Sequence, residues 1–180
     1  MRHTAKYLIK RYSFYLGGDQ PAVSWQERLR SCGGAFIGLM LVLTIAKYLG
    51  EISGIDEWLM ASLGASALLV FVLPGSPMAQ PWAIIAGNTV SALVGITTAN
   101  LISGPLLAVP IAAALSILGM FILRCLHPPA AAVALIAVLG HVMQFRYAIF
   151  PVMVDSILLV LAGAIYSNMT GKSYPNRAVQ

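Results

Sequence analysis

The sequence predicts an all-α protein, a polytopic bundle of membrane-spanning helices, from three observations. Of its 180 residues, 59% are hydrophobic and 9% are charged, whereas about one quarter of a soluble domain is charged. The mean hydropathy is +0.83. No Asp, Glu, Lys or Arg occurs from Trp58 to Leu123, a run of 66 residues. Since one membrane helix takes roughly 20 apolar residues, a soluble enzyme and a soluble nucleic-acid-binding protein are excluded.

Six apolar segments follow one another along the chain. They run about 31–49, 58–73, 82–102, 105–123, 128–143 and 148–168. The breaks between them carry turn residues such as glycine and proline. We predict six spans, which place both termini on the same side of the membrane. The second and fifth segments are short, and the count falls to four or five if they do not cross.

Positive charge predicts how the chain is oriented. Six of the eleven Lys and Arg residues precede the first apolar segment, so we expect the basic segment 1–30 to be cytoplasmic. The tail, residues 169–180, carries Lys172 and Arg177 without an acid and is expected on the same side. The transmembrane domain then covers residues 31–168. We expect a bacterial plasma (inner) membrane protein.

The two short segments resemble each other in their surroundings. One begins with Leu63-Gly64-Ala65-Ser66-Ala67 and the other with Leu126-His127-Pro128-Pro129-Ala130. Each is followed by a turn and a long segment that starts with an aromatic residue. Three spans per unit would form a 3+3 inverted repeat, and paired short helices in such repeats indicate a transporter site near the bilayer midplane.

His127-Pro128-Pro129 is the most unusual local chemistry in the chain. Proline has no N–H and disfavours helical geometry in the residue before it, so the fourth segment ends near Leu126 and a new helix starts after the prolines. That helix is too short for the bilayer core. We therefore predict that it begins below the membrane surface, where its N–H groups and dipole would form an anion site.

The chain resembles the HPP family of integral membrane proteins, which is named for this motif. The resemblance covers roughly Ser31 to Asn168 and includes Ser76-Pro77-Met78-Ala79-Gln80-Pro81 and Gly87-Asn88. It implies a small transporter, and chloroplast and cyanobacterial relatives are linked to nitrite movement. Family members often carry Arg-Asn after Gln-Pro, where this chain has Trp82-Ala83, and many have glycine at the position of Ala131.

Nine residues are candidates for a substrate site or pathway: His127, Pro128, Pro129, Gly64, Ser66, Asn88, Ser91, Arg124 and Asp155. His127 would contact an anion or gate protons, or else cap the next helix. Gly64 and Ser66 would form the opposing half of that site, or else a helix-packing contact. Asn88, Ser91 and Thr98 share one helix face. Arg124 suits an interfacial anchor, and Asp155 suits proton relay or ion pairing.

The leading functional hypothesis is a transporter or channel for a small inorganic anion such as nitrite. A non-transporting scaffold or partner subunit, and a proton- or cation-coupled transporter that uses Asp155, are the alternatives. We expect no enzyme activity, no cofactor, no metal site and no nucleic-acid partner. The lipid bilayer is an implied partner, and the small-residue stripe Gly87, Ser91 and Gly95 makes a homo-oligomer plausible.

Overall fold

The computed structural model describes residues 23–53, 60 and 62–176, and these residues form an all-helical bundle. The helices are α1 (Trp25–Ser53), α2 (Leu63–Val72), α3 (Pro81–Leu101), α4 (Pro105–Ile122), α5 (Ala130–Leu139) and α6 (Val154–Met169). A 3₁₀ turn covers Pro77–Ala79, and a π-helical turn covers Ala148–Met153 directly before α6. The predicted basic segment 1–30 lies largely outside the described residues, as do Asp56 and Glu57.

In the described part of the chain, four helical stretches are long and apolar enough to cross a membrane: α1, α3, α4 and the π-helical turn together with α6. The prediction of an α-helical membrane bundle is confirmed. Helices α2 and α5 are apolar but have only ten residues each. At 1.5 Å per residue each is about 15 Å long, roughly half of the 30 Å hydrocarbon core.

Both short helices are shorter than the apolar segments from which they were predicted. Segment 128–143 loses its first two residues because Pro128 and Pro129 precede α5, and its last ones because His141 adopts a positive φ of 50°. In segment 58–73 the described helix runs from Leu63 to Val72. Hydropathy marks where the chain is apolar, but it does not distinguish apolar helix from the apolar turns at either end.

One face of the bundle, here named the N face, holds the beginning of α1. Arg30 donates from Nη2 to the carbonyl of Phe71 at the end of α2, over 3.0 Å. The Tyr166 hydroxyl, near the end of α6, donates to the carbonyl of Arg30 over 2.8 Å. The indole N–H of Trp82 donates to the carbonyl of Leu123 over 3.1 Å. Helices α2, α4 and α6 therefore end at the N face, and α3 begins there.

Helix α5 runs away from the N face, parallel to α3. Near its start, a Cβ on Gly87 would lie 2.9 Å from His127 Cβ. Further along, Gly95 lies against Ala134, and beyond the end of α5 the side chain of Asn100 donates to the carbonyl of Met143. The two short helices consequently run in opposite directions: α2 descends to the N face, and α5 leaves it.

The helix packing is symmetric under exchange of the first three helices with the last three. Helix α1 packs on α2 and α6, just as α4 packs on α5 and α3. Helix α2 also packs on α6, and α5 on α3. Each short helix thus packs against the last helix of the other half, α2 against α6 and α5 against α3. This arrangement matches the predicted 3+3 inverted organisation, in which half-length helices enter the bundle from opposite sides.

Candidate solute-binding site

The His127 cluster consists of the His127 ring, the Ser66 hydroxyl and the carbonyl of Met78. Nε2 of His127 lies 2.8 Å from Ser66 Oγ, and Nδ1 lies 2.8 Å from the Met78 oxygen. His127 and Ser66 are both fully buried. The cluster joins α2, the turn before α3 and the chain segment before α5. The predicted pairing of Ser66 with His127 is a direct contact, with no space for a solute between the two atoms.

The tautomer of His127 follows from these partners. A carbonyl oxygen only accepts hydrogen bonds, so Nδ1 carries a hydrogen and donates to Met78. In the neutral ring Nε2 is then an acceptor, and the Ser66 hydroxyl donates to it. No carboxylate in the described part of the chain forms an ion pair with this ring. His127 thus acts as a hydrogen-bonded brace with both nitrogens occupied.

The start of α5 differs from the anion site that the sequence predicts. The N–H groups of Ala130, Ala131 and Ala132 donate to the carbonyls of His127, Pro128 and Pro129, over 2.9, 3.3 and 3.1 Å. The prolines themselves have no N–H to offer. The predicted free donors are therefore already bonded by one tight turn.

The Asn88 cluster lies one helical turn away along α2. Asn88 Oδ1 accepts from the Ser62 hydroxyl over 3.1 Å, and Asn88 Nδ2 donates to Ser156 Oγ over 3.1 Å. Ser156 in turn donates to the carbonyl of Val152 over 2.8 Å. Ser62, Asn88 and Ser156 are all buried. The cluster unites the turn before α2, the middle of α3 and the first turns of α6.

One donor of this cluster makes no hydrogen bond within the described residues. A primary amide carries two hydrogens on its nitrogen, and Ser156 takes one of those on Asn88. The remaining N–H, held in a buried neutral environment, can bind an acceptor such as a small oxyanion.

Asp155 adjoins the Asn88 cluster. Among the described residues, it is the only acidic residue between the end of α1 and the end of α6. Its Oδ2 accepts from the Met60 backbone N–H over 2.9 Å. Its Oδ1 is buried and has no hydrogen-bond partner there. Met60 also touches the cluster, since its Sδ lies 3.5 Å from the Ser156 hydroxyl oxygen. A half-satisfied carboxyl group is thus next to neutral polar side chains.

The two clusters form one buried polar line through the bundle. Ser62 and Ser66 are four residues apart at the start of α2, so their side chains lie on the same side of that helix. Both face protein, where they contact Asn88 and His127 respectively. This polar line lies where α2 and α5 begin. Broken backbone at membrane depth is tolerated where it is enclosed by protein or borders water.

The remaining candidates lie away from this line. Gly64 is exposed, and a Cβ there would meet nothing within 4 Å; two residues from both serines, it points to the other side of α2. Ser91 is buried but bonds Ser116 of α4 over 3.2 Å. Arg124 is exposed in a turn with φ of 52°.

Three further details complete the predicted set. Pro128 is exposed and Pro129 is half-buried, so both shape the chain rather than line the clusters. Thr98 donates to the carbonyl of Val94 in its own helix. Asn88, Ser91 and Thr98 are all buried as expected for one face, but their partners lie on different helices.

Three further residues of the site, Ser62, Ser156 and Tyr174, are not among the residues predicted from the sequence. Ser62 and Ser156 were visible as hydroxyl groups inside apolar stretches. Tyr174 belongs to the polar tail, yet its ring is 1% exposed and its hydroxyl donates to the carbonyl of Ala79 over 2.8 Å. Burial raises the pKa of the Tyr174 phenol, so this hydroxyl is a donor at neutral pH.

Comparison with known proteins assigns the chain to a family. Residues 20–175 match the model of the HPP transmembrane region, which covers most of the sequence and both polar clusters. The chain belongs to the HPP transmembrane family. It is an integral membrane protein, and the likeness noted in its His-Pro-Pro motif is confirmed.

Two relatives of this HPP protein are transmembrane proteins of Dictyostelium discoideum. One is 34% identical over an alignment of 179 positions, and the alignment covers 94% of this chain and 57% of the relative. The other is 32% identical over an alignment of 185 positions, which covers 94% of this chain and 63% of the relative. The chain thus spans about three-fifths of the length of these relatives. No solved structure matches.

Proposed function

We propose that this HPP protein transports a small monovalent anion across the membrane, with nitrite as the first candidate. The observation that carries the proposal is the buried polar line from His127 through Ser66 and Ser62 to Asn88 and Ser156. Neutral polar side chains also hold membrane helices together, but the Asn88 end of the line keeps one amide N–H without an acceptor among the described residues, and a buried donor of this kind is a place for a ligand. Under this proposal the N face is cytoplasmic, which the positive-inside rule supports, because Arg30 and Lys172 lie near it.

The Asn88 cluster suits the contact with the anion better than the His127 cluster does. Asn88 has an unused amide hydrogen beside two hydroxyl groups, whereas both nitrogens of His127 are bonded to protein. Neutral donors in a dry site bind a singly charged ion without the desolvation cost of a buried cation. His127 would then hold α2 against the segment before α5 while the site is closed.

The test is nitrite uptake into liposomes that contain the purified full chain, with protein-free liposomes as the background. The wild type should show saturable uptake. Asn88→Ala should reduce it by roughly tenfold or more, the effect of losing about 1.4 kcal/mol or more of binding at the transition state. The matched control is Ser116→Ala, which removes a buried hydroxyl from the α3–α4 contact without touching either cluster.

Two results would contradict the proposal. If uptake of nitrite, nitrate, formate and chloride by wild-type liposomes equals that of protein-free liposomes, the proposal of anion transport is contradicted. Equal losses of uptake in Asn88→Ala and Ser116→Ala would contradict the assignment of the binding site to the Asn88 cluster, since the loss of any buried polar group would then have the same effect.

Asp155 favours a second candidate function, in which the transported ion is a cation. A buried carboxylate with an unpartnered oxygen attracts positive charge. Replacing the anion outside the same liposomes while holding the cation constant separates the two candidates, because only an anion transporter responds to the identity of the anion.

A further inference from the structure

Among the described residues, Asp155 is the one buried acid, and the anion site does not itself explain it. It is fully buried, with Oδ2 bonded to the Met60 N–H and Oδ1 without a partner among the described residues. One backbone hydrogen bond does not compensate a carboxylate for the water it has lost. The group therefore requires a positive partner or a proton.

The charged groups of the surrounding elements do not supply that partner. Helices α2 and α3 and the π-helical turn before α6 contain no Asp, Glu, Lys, Arg or His. On α1, Lys47 and Glu51 pair with each other at the exposed surface. Near the N face, Arg30 and Lys172 both pair with Glu27. His141 and Arg146, in the turn before α6, are exposed and form no salt bridge with Asp155.

A metal cation fits this position less well than a proton. No group of three or more His, Cys, Asp or Glu side chains that could hold a metal occurs in the described residues. A hard cation takes about six or more oxygen ligands, whereas a single proton neutralises one carboxyl group completely. The proton is therefore the ligand that matches one isolated acid.

Proximity to the anion site gives this proton a function. Ser156, the next residue, bonds Asn88, and Met60 touches both Asp155 and Ser156. An anion on Asn88 and an ionised Asp155 would be like charges in a medium of low dielectric constant, where repulsion is strong. The anion can bind well only when Asp155 is protonated.

We propose that Asp155 is the proton-binding site of an anion–proton symporter, loaded together with the anion on Asn88. This inference rests on the proposed function. Proton and anion enter from the side to which the site is open, and both leave on the other side, so that one negative and one positive charge move together. By linkage, the proton raises the affinity for the anion as much as the anion raises the affinity for the proton.

The test compares two modes of nitrite transport in liposomes that contain the full chain, with protein-free liposomes subtracted. In the first mode, a lumen more alkaline than the outside drives net uptake. In the second, nitrite inside exchanges for labelled nitrite outside without a pH gradient. The wild type should accumulate nitrite in the first mode, and a protonophore should abolish the accumulation.

Asp155→Asn replaces the carboxyl group by a neutral amide of the same shape. Since the variant cannot release a proton, its accumulation ratio should fall to about one, while exchange continues. Full accumulation in Asp155→Asn, or accumulation driven by a sodium gradient instead, would overturn the proposal. Absence of exchange in the wild type would instead contradict anion transport itself.

A binding measurement on the wild type covers the case in which Asp155→Asn fails to fold. Nitrite added to purified protein in weak buffer, at a pH alkaline enough to ionise the anion-free carboxyl group, should make the solution more alkaline, because up to about one proton per site is taken up with the anion. Ser116→Ala should behave in the same way. Binding without proton uptake would overturn the proposal.

Discussion

The His127 cluster and the Asn88 cluster lie one helical turn apart on α2, yet they differ in how completely their polar groups are satisfied. His127 has a partner on each ring nitrogen. The Asn88 cluster keeps one amide hydrogen unused and adjoins Asp155, whose Oδ1 is unpartnered. A satisfied buried network fixes a structure, whereas an unsatisfied one is a place for a ligand. The comparison separates a brace from a binding site within one polar line.

The largest loss of stability is expected from Gly87→Ala, which disturbs the packing around the His127 cluster. A Cβ at this position would lie 2.8 Å from the carbonyl oxygen of Cys125 and 2.9 Å from His127 Cβ. Since both belong to the chain segment before α5, that segment must move. We expect a loss of about 1–3 kcal/mol in unfolding free energy, measured by thermal melting in detergent. An unchanged melting temperature would show that the segment is loosely held.

The next effect tests whether Ser66 and His127 act as a pair. Ser66→Ala leaves Nε2 of a buried imidazole without a donor, which costs about 1–3 kcal/mol. A double-mutant cycle with His127→Ala should give a coupling of about 1 kcal/mol. The measurement is unfolding in mixed micelles. Additive losses would mean that the contact contributes nothing to the brace.

Tyr174 supports the same brace from the tail. Its hydroxyl bonds the carbonyl of Ala79, next to the Met78 carbonyl that orients His127. Tyr174→Phe keeps the buried ring and removes only that hydrogen bond, so we expect a loss of about 1 kcal/mol. Melting curves of the two proteins check this. A loss larger than that of Gly87→Ala would mean that the tail, and not the His127 cluster, holds this region.

The smallest effect should follow Gly64→Ala, on the side of α2 that faces neither cluster. A Cβ here meets nothing within 4 Å, and alanine is the better helix former by about 0.8–1 kcal/mol. We expect unchanged nitrite uptake with equal or slightly higher stability. A loss of uptake would return Gly64 to the pathway that the sequence suggested.

Local chemistry made the break at Pro128 and the shortness of α2 and α5 predictable. Proline without an N–H and an apolar stretch too short for the bilayer are visible in a single sequence. Pairing the two short segments placed Ser66 opposite His127, but as the two halves of a site and not as a direct hydrogen bond. The opposing orientation of those segments came from the same pattern.

The partners within the Asn88 cluster could not be predicted in this way. Ser62 and Asn88 are 26 residues apart, and Asn88 and Ser156 are 68 apart. Such contacts depend on how the helices pack against one another, and the local sequence pattern does not determine this. The prediction of free N–H groups at the start of α5 was wrong for another reason. A tight turn after two prolines already uses these N–H groups in hydrogen bonds. Tyr174 was missed because a polar tail carries no periodicity.

The central claim is that the anion binds at the Asn88 cluster, and protection of a thiol tests it most directly. The Ser62→Cys variant, in a chain carrying Cys32→Ser and Cys125→Ala, is treated with a small thiol reagent with and without nitrite. The control is Ser116→Cys in the same background. We expect nitrite to slow modification at position 62, over the concentrations that saturate uptake, and not at position 116. Equal rates with and without nitrite at position 62 would contradict the claim.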